Sequence, residues 1–256
     1  MSTSPGSASL ARRSRIAVPQ IYDDLRSQIV SISLKPGIGL SEARIAEQYG
    51  VSRTPVREAF KRLAEDGFLE VVPQVGTFVS RIDMQIIRDA HFVRETLECR
   101  IVELAAMRID DTQRKELEEN LEALALAQRS GDRAAHFRAD EAMHAMLARF
   151  AGHAHAWDVI LEAKAQLDRI RHLGLSRPGR SRETVLEHAS IADRVIAGDP
   201  AGAVAAMRVH LGTVMDVLGD IAVRHADYFD ESAEAADRPG LLPRRGDADS
   251  RTGREA

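Results

Sequence analysis

The sequence predicts a mainly α protein. An N-terminal winged helix-turn-helix, three helices followed by a β-hairpin wing, joins a C-terminal antiparallel all-α bundle of six or seven helices. Three observations predict this. Two helical patterns meet at a glycine joint, Tyr49-Gly50-Val51; two short β-rich runs flank a Pro/Gly turn between Phe68 and Val79; and beyond Asp83 strand signals stop while helical patterns continue to about residue 225.

Composition supports a folded chain. The 256 residues hold 44% apolar and 29% charged side chains, which excludes a largely disordered chain. No run of eighteen apolar residues occurs, so no membrane span is expected. The opening residues lack a signal-peptide core, and one cysteine, Cys99, can form no internal disulfide; a reducing cytoplasm is expected. The formal net charge of −4 hides an asymmetry, because residues 1–82 hold 11 Lys+Arg against 8 Asp+Glu. A basic first third on an acidic body suits a polyanionic partner.

Residues 1–15, rich in Ser, Ala and Gly with Arg12, Arg13 and Arg15, are expected to be a disordered basic arm. The DNA-reading part is expected over 16–82. Its first helix runs from about Pro19 to Ile32, with Ile21, Leu25, Ile29 and Ile32 at helical spacing. A short second helix, Ala43 to Tyr49, stops at Gly50. Ser52 then caps a third helix, in which Val56, Phe60 and Leu63 face inward, and Gly67 ends it. Phe68–Val72 and Thr77–Val79 form the hairpin, with Gly76 at its tip. The helical body is expected over 83–228, with helices at about 84–109, 112–130, 132–151, 154–173, 182–198 and 200–225 and short connections that favour antiparallel neighbours. Residues 229–256 carry Pro, Gly and mixed charge and are expected to be a disordered tail.

The third helix opens Ser52-Arg53-Thr54-Pro55-Val56-Arg57-Glu58. Pro is tolerated in a first helical turn. The exposed side of that turn then shows Ser52, Arg53, Thr54 and Arg57. Arg bonds guanine O6 and N7 bidentately, while hydroxyls and free helix N–H groups suit phosphate oxygens. A surface helix with Arg paired to Glu is the bland alternative. Five features in order, three helices, a glycine joint and a wing among them, favour DNA. The stretch from Leu40 to Phe60, LSEARIAEQYGVSRTPVREAF, with Arg62-Leu63, Gly67 and Gly76-Thr77-Phe78-Val79, resembles the GntR superfamily of bacterial transcription regulators. The resemblance implies a symmetric homodimer on a palindromic double-stranded operator. It assigns major-groove reading to Arg53, Thr54 and Arg57, the minor groove to Gly76, and backbone contacts to Ser52 and Arg44.

Among nine histidines, most are expected to be solvated or capping. Asp140 and His144 differ, being i and i+4 on one helix beside the apolar stripe of Phe137, Met143 and Leu147. A carboxylate and an imidazole at a core need each other or a cation. His188 and His210 lie on later helices. If the bundle brings these faces together, one carboxylate and three imidazoles converge, a set suited to Zn²⁺, Ni²⁺ or Mn²⁺ with positions left for a ligand. The alternative is a group of buried, hydrogen-bonded polar side chains. This half is similar to the FCD ligand-binding domain of the FadR-type subfamily, through Arg94-Glu95-Thr96-Leu97-Glu98, Asp140 with His144, Glu187-His188, and Gly198-Asp199-Pro200 with Ala203 and His210. Six patterned segments match its shorter, VanR-like variety. The resemblance implies a divalent metal, Zn²⁺ first, on Asp140, His144, His188 and His210. Met143, where Phe is common, and His153, where Asn is usual, depart from the pattern. The resemblance also implies a small organic acid beside the metal. Arg94 could clamp its carboxylate bidentately, or simply pair with Glu98 on a solvated face. Arg169 and Arg171 are further candidates for that pocket. An enzyme is not expected, since no nucleophile, phosphate loop or separate general base stands out. A metal sensor without an organic effector is the second regulator reading.

Overall fold

In a computed structural model, the protein is described for residues 6–174 and 179–230, with side chains from Val18 onward. Residues 1–5, 175–178 and 231–256 lie outside the described residues, and the expected tail falls mostly there. The first helix, α1, spans Gly6–Val30. The expected arm is therefore helical from Gly6, because Ala, Leu and Arg at 8–13 are strong helix formers. Pro19, the expected start, is accommodated inside the helix, thirteen residues after its first residue. Ile21, Leu25 and Ile29 are buried on its inner stripe.

Helix α2 (Glu42–Tyr49) ends where Gly50 turns left-handed at φ 62°, and Val51 donates its N–H to the Ala46 carbonyl. That closure places α3 (Arg53–Glu65) across α2, with Val56, Ala59, Phe60 and Leu63 buried between them and α1. Ser52 stands at the start of α3 in extended conformation, without a side-chain capping bond. The wing is β2 (Leu69–Val72) paired antiparallel with β3 (Gly76–Val79). A two-residue strand, β1 (Gly39–Leu40), adds to the other edge of β3, giving the order β1-β3-β2. The sequence had predicted only the hairpin. The wing tip is also displaced from the expectation. Val75 donates to the Val72 carbonyl at 3.1 Å and Gln74 takes φ 64°, so Pro73-Gln74 form the tip and Gly76 opens β3 opposite Val72. Proline presets the first corner of such a turn.

Six helices then form the body: α4 (Met84–Arg108), α5 (Asp111–Ser130), α6 (Arg133–Phe150), α7 (Ala154–Gly174), α8 (Arg180–Ile196) and α9 (Pro200–Arg224). Aspartates set their starts. Asp83, Asp110, Asp132 and Asp199 each accept a first-turn N–H, and Asp110 completes a capping box with Gln113. Helix α4 runs through the middle, against α6, α7, α8 and α9. Helix α9 is long and apolar enough to cross a membrane by length and composition, yet Ala203, Met207, Leu211, Leu218 and Ile221 pack it into the bundle.

Helix α7 also holds the N-terminal head. Ala165 joins the head's apolar core, Gln166 Nε2 donates to the Gly67 carbonyl at 3.0 Å, and Arg169 Nη2 donates to the Ser80 carbonyl at 2.7 Å. Below the head, Ile82 exchanges backbone hydrogen bonds with Tyr228 and Asp230, and Phe229 is buried beside it. Phe229 is thus part of the core and not the start of a free tail.

Candidate metal centre and nucleic-acid interface

Helix α6 places Asp140 and His144 one turn apart on its inner face, α8 supplies His188 and α9 supplies His210. All four are buried, and one ligand atom from each lies within 4.8 Å of the other three. The ring centroids of His144, His188 and His210 stand 4.6–5.3 Å apart. His188 Nε2 is 3.2 Å from Asp140 Oδ1. Yet Asp140 Oδ1, His144 Nε2 and both nitrogens of His188 are buried without a hydrogen-bond partner. Buried polar groups are normally satisfied. Metal bonds of about 2.1 Å separate neighbouring ligand atoms by up to about 4.2 Å, so a small closure of this cluster fits a divalent ion.

Two carboxylates that the sequence reading left without a role hold the imidazoles. Glu98 lies against Nδ1 of His144, and Glu187 Oε2 is 2.8 Å from Nδ1 of His210. A carboxylate on the far nitrogen fixes ring orientation and tautomer in metal-ligating histidines. The local signal was present, because Glu98 is i+4 from Arg94 and Glu187 precedes His188. What the sequence lacked was their burial. Arg94 Nε bonds Glu98 Oε1 at 2.6 Å, but the pair is fully buried and not on a solvated face.

Electrostatics leave the cluster ready for a cation. Burial pushes the imidazoles of His144 and His210 down, the latter to about 3 despite Glu187. Burial opposes the charge of Asp140, but Arg171 and then His188 hold its carboxyl well below the usual range. Neutral imidazoles and an ionised carboxylate are the forms that ligate metal. The same shifts predict a pH dependence of the metal-free protein. The unfolded imidazoles protonate near pH 6.5 and the folded ones lower, His210 only near 3, so the unfolded state binds more protons in between. For His210 that contribution to stability is therefore full above about pH 6.5 and is lost as pH falls towards about 3, by about 1.4 kcal/mol per pH unit; His144 adds to it in the same direction. Calorimetry at pH 7.5, 6 and 5 should show a falling midpoint; a flat midpoint over that range contradicts the assignment.

Beside the cluster lies a cavity lined by Arg94, His136, Asp140, Arg171, Arg180, Thr184, His210 and Thr213, with Phe137, Ile170, Leu211, Val214 and Val217 on its apolar side. Arg94 Nη2 is buried there without a partner, and so are both nitrogens of His136. Arg171 reaches Asp140 and Asp168, and Arg180 bonds Glu187 and, at 3.0 Å, Thr213. Of the three arginines expected at a pocket, Arg94 and Arg171 line it. Arg169 does not. It is buried two residues from Arg171, on the side of α7 that faces the head, where Ser80 and Gln166 accept its hydrogen bonds. His136 was missed because its burial comes from packing between helices, and Arg180 because its partners Glu183 and Glu187 on the same helix read equally well as a solvated ion pair. Of the remaining histidines, His153 and His155 are exposed, and His172 stacks on Phe137 at 3.9 Å, its pKa pushed down to about 4 by burial.

In the head, Ser52, Arg53, Thr54 and Arg57 are all exposed on the first turn of α3, and Arg44 is exposed on α2. Arg57 lies bidentately on Glu42, at 3.1 and 3.0 Å, which tethers α3 to the start of α2. Gly76 is exposed next to the wing tip.

Comparison with known proteins agrees with both halves. The chain matches the bacterial regulatory proteins of the gntR family over residues 18–79 and the FCD domain over residues 89–213. An HTH-type transcriptional regulator of Streptomyces ambofaciens, from an unstable DNA locus, is 38% identical, over 82% of this chain and 88% of its own. The HTH-type transcriptional repressor RspR of Escherichia coli K12 is 33% identical, over 83% and 93%. The solved structure of E. coli McbR/YncC superposes with a TM-score of 0.67 at 25% identity, over 79% of this chain and 97% of that one. The relatives are regulators of transcription and not enzymes. With a head built for duplex DNA and this likeness along most of its length, the chain belongs to the GntR family, as a DNA-binding transcription regulator with a C-terminal FCD domain.

Proposed function

We propose that this regulator is a repressor whose operator affinity is set by a small organic acid bound beside a divalent metal in the helical body. The observation that carries it is the set of unsatisfied buried atoms on Asp140, His144 and His188, next to a cavity into which Arg94 turns an unpartnered Nη2. Asp140, His144, His188 and His210 would hold the metal, Zn²⁺ first with Ni²⁺ or Mn²⁺ as alternatives, since three nitrogens and one carboxylate suit these ions. The metal supplies a Lewis-acidic position for a ligand oxygen. Arg94 supplies a fork for a carboxylate, and His136, Thr184 and Thr213 line the same cavity. Repression is supported by the printed role of the relative RspR. Action on a palindromic operator as a homodimer, in the cytoplasm, follows the family pattern.

Helix α7 offers the route from ligand to DNA. Arg171 on one side holds Asp140, and Arg169 and Gln166 on the other hold Ser80 and Gly67 of the head. An acid that competes with Asp140 for Arg171 would shift α7 and, with it, the position of the head. Ligand control requires that the acid bind one of the two positions better. The test is whether metal and acid together change operator affinity. A metal sensor with no organic effector is the second reading, because the four-residue cluster is complete without the arginines.

A further inference from the structure

Between β3 and the Asp83 cap of α4 the chain crosses only Ser80, Arg81 and Ile82, and its backbone bonds there divide three ways. Ser80 donates to the Phe68 carbonyl of the head at 3.0 Å and accepts from Arg169 of α7 at 2.7 Å. Ile82 gives both of its backbone groups to the segment that follows α9. Its N–H donates to the Tyr228 carbonyl at 2.8 Å and its carbonyl accepts from Asp230 at 3.2 Å, in a parallel bridge with Phe229. That segment leaves α9 at His225, makes one tight turn over Ala226–Tyr228 and then extends. Phe229, 7% exposed, closes an apolar cluster separate from the cores of the head and the bundle. Ile82, Ile87 and Ala90 form one side of it, Leu167 and Ile170 of α7 another, and Leu218 and Ile221 of α9 the third. Asp230 ends the segment among the charges of Glu70 on the wing, Arg81 and Asp83 on the linker, and Arg169 on α7. A three-residue linker has no regular structure of its own, so its direction is set by whatever satisfies its buried backbone groups. A small cluster of this kind can open locally while the larger cores on either side stay folded.

We propose that the segment Ala226–Asp230 is a clamp on this linker. Seated, it fixes the direction in which the head leaves the body; unseated, it frees the head without unfolding either part. The step it serves is binding of two heads to one operator. Two linked heads hold DNA better than one only while their spacing matches the site, and a fixed spacing saves the cost of ordering them on binding. An open clamp therefore lowers operator affinity and leaves each head's own grip on DNA intact. The seat of Phe229 is built from α4, α7 and α9 together, so a shift of any of these helices loosens or tightens it. Helix α9 runs unbroken from His210 to Arg224, which ties the clamp to the helix that carries one residue of the candidate metal cluster. The clamp rests on the two-headed reading but needs neither metal nor acid, so failure of the effector reading leaves it standing.

Limited proteolysis and DNA binding of the full, metal-loaded chain test this together. Trypsin cuts after arginine, and Arg81 is exposed, but the peptide that follows it is held through Ile82. Phe229→Ala, and a chain ending at His225, should each be cut between Arg81 and Ile82 at least tenfold faster than the wild type. Both should bind an operator selected from random sequence at least tenfold more weakly, while helicity, metal content and affinity for a duplex carrying one half-site stay unchanged. Phe229→Leu keeps an apolar side chain in the seat and should stay near the wild type in every readout. An unchanged rate of cutting overturns the clamp. Faster cutting with unchanged operator affinity overturns its part in DNA binding. An equal loss on the half-site duplex places the damage in the head itself and overturns the proposal as well. A wild type that binds operator and half-site duplex equally overturns the two-headed reading and the clamp with it.

Discussion

Replacing His188 by alanine is expected to remove the metal and the stability that comes with it. His188 is fully buried, stands between His210 and Asp140, and has both nitrogens without a hydrogen-bond partner. Without it the site keeps two imidazoles and one carboxylate, and the ion loses one of its four protein bonds and gains a cavity beside it, which weakens its hold against chelators. Elemental analysis of the purified variant should give less than a tenth of the wild-type occupancy. At a free metal concentration 100 times Kd, binding stabilises the folded state by about 2.7 kcal/mol. For a chain of this size each kcal/mol moves the midpoint by about 2–4 °C, so the variant should lose about 5–11 °C of metal-dependent Tm. His153→Ala, at an exposed position, should change neither reading. Full metal occupancy in His188→Ala would refute the ligand set.

The second large effect is expected from Arg57→Ala. Its guanidinium is exposed on the first turn of α3 and already laid out flat, bonded through Nε and Nη2 to Glu42. The same two-pronged edge can turn to a guanine, and Glu42 keeps it from searching other conformations. Losing a bidentate base contact costs about tenfold or more per half-site, and about 100-fold or more when two heads bind together. The variant should keep the wild-type melting curve, since no buried contact is lost, and should give no operator footprint at concentrations that protect the operator with the wild type. An unchanged footprint would sink the assignment of Arg57 to base reading.

Most of the helical order could be read from the sequence for a plain physical reason: its starts are marked by Asp83, Asp110, Asp132 and Asp199, and its stops by Gly50 and Gly131 in left-handed conformation. Each of the six body helices lies within two residues of its expected span. Elements without periodicity were less legible. A two-residue β1 offers no alternation, and the tip of the wing depends on Gln74 entering the left-handed region behind Pro73, which glycine at 76 disguised. The start of α1 was misplaced because Pro19 reads as a beginning and the Ser- and Gly-rich leader as disorder.

The candidate site was legible in part. Asp140 and His144 share a helix and could be paired by spacing, but His188 and His210 join them only through the packing of α8 and α9 against α6. The carboxylates of Glu98 and Glu187 were hidden differently. A buried ion pair and an exposed one look alike at i,i+4, and α4 is packed on so many sides that no single apolar stripe reveals which positions face inward. Arg169 and Arg171 show the limit most clearly. Two residues apart in sequence, they point to opposite sides of α7, one to the head and one to the cavity.

The central claim is that metal and acid act together on DNA binding, and one titration tests it most directly. Operator affinity would be measured by fluorescence anisotropy on metal-stripped and on Zn²⁺-loaded protein, with a duplex selected from random sequence and a panel of small organic acids. One acid should change operator affinity by about tenfold or more with metal present, within the usual range of coupling between sites, and should have no effect on the stripped protein. An affinity that responds to chelation alone and to no acid would replace the organic effector with the metal as signal. An affinity unmoved by metal, by acid and by both together would contradict the account.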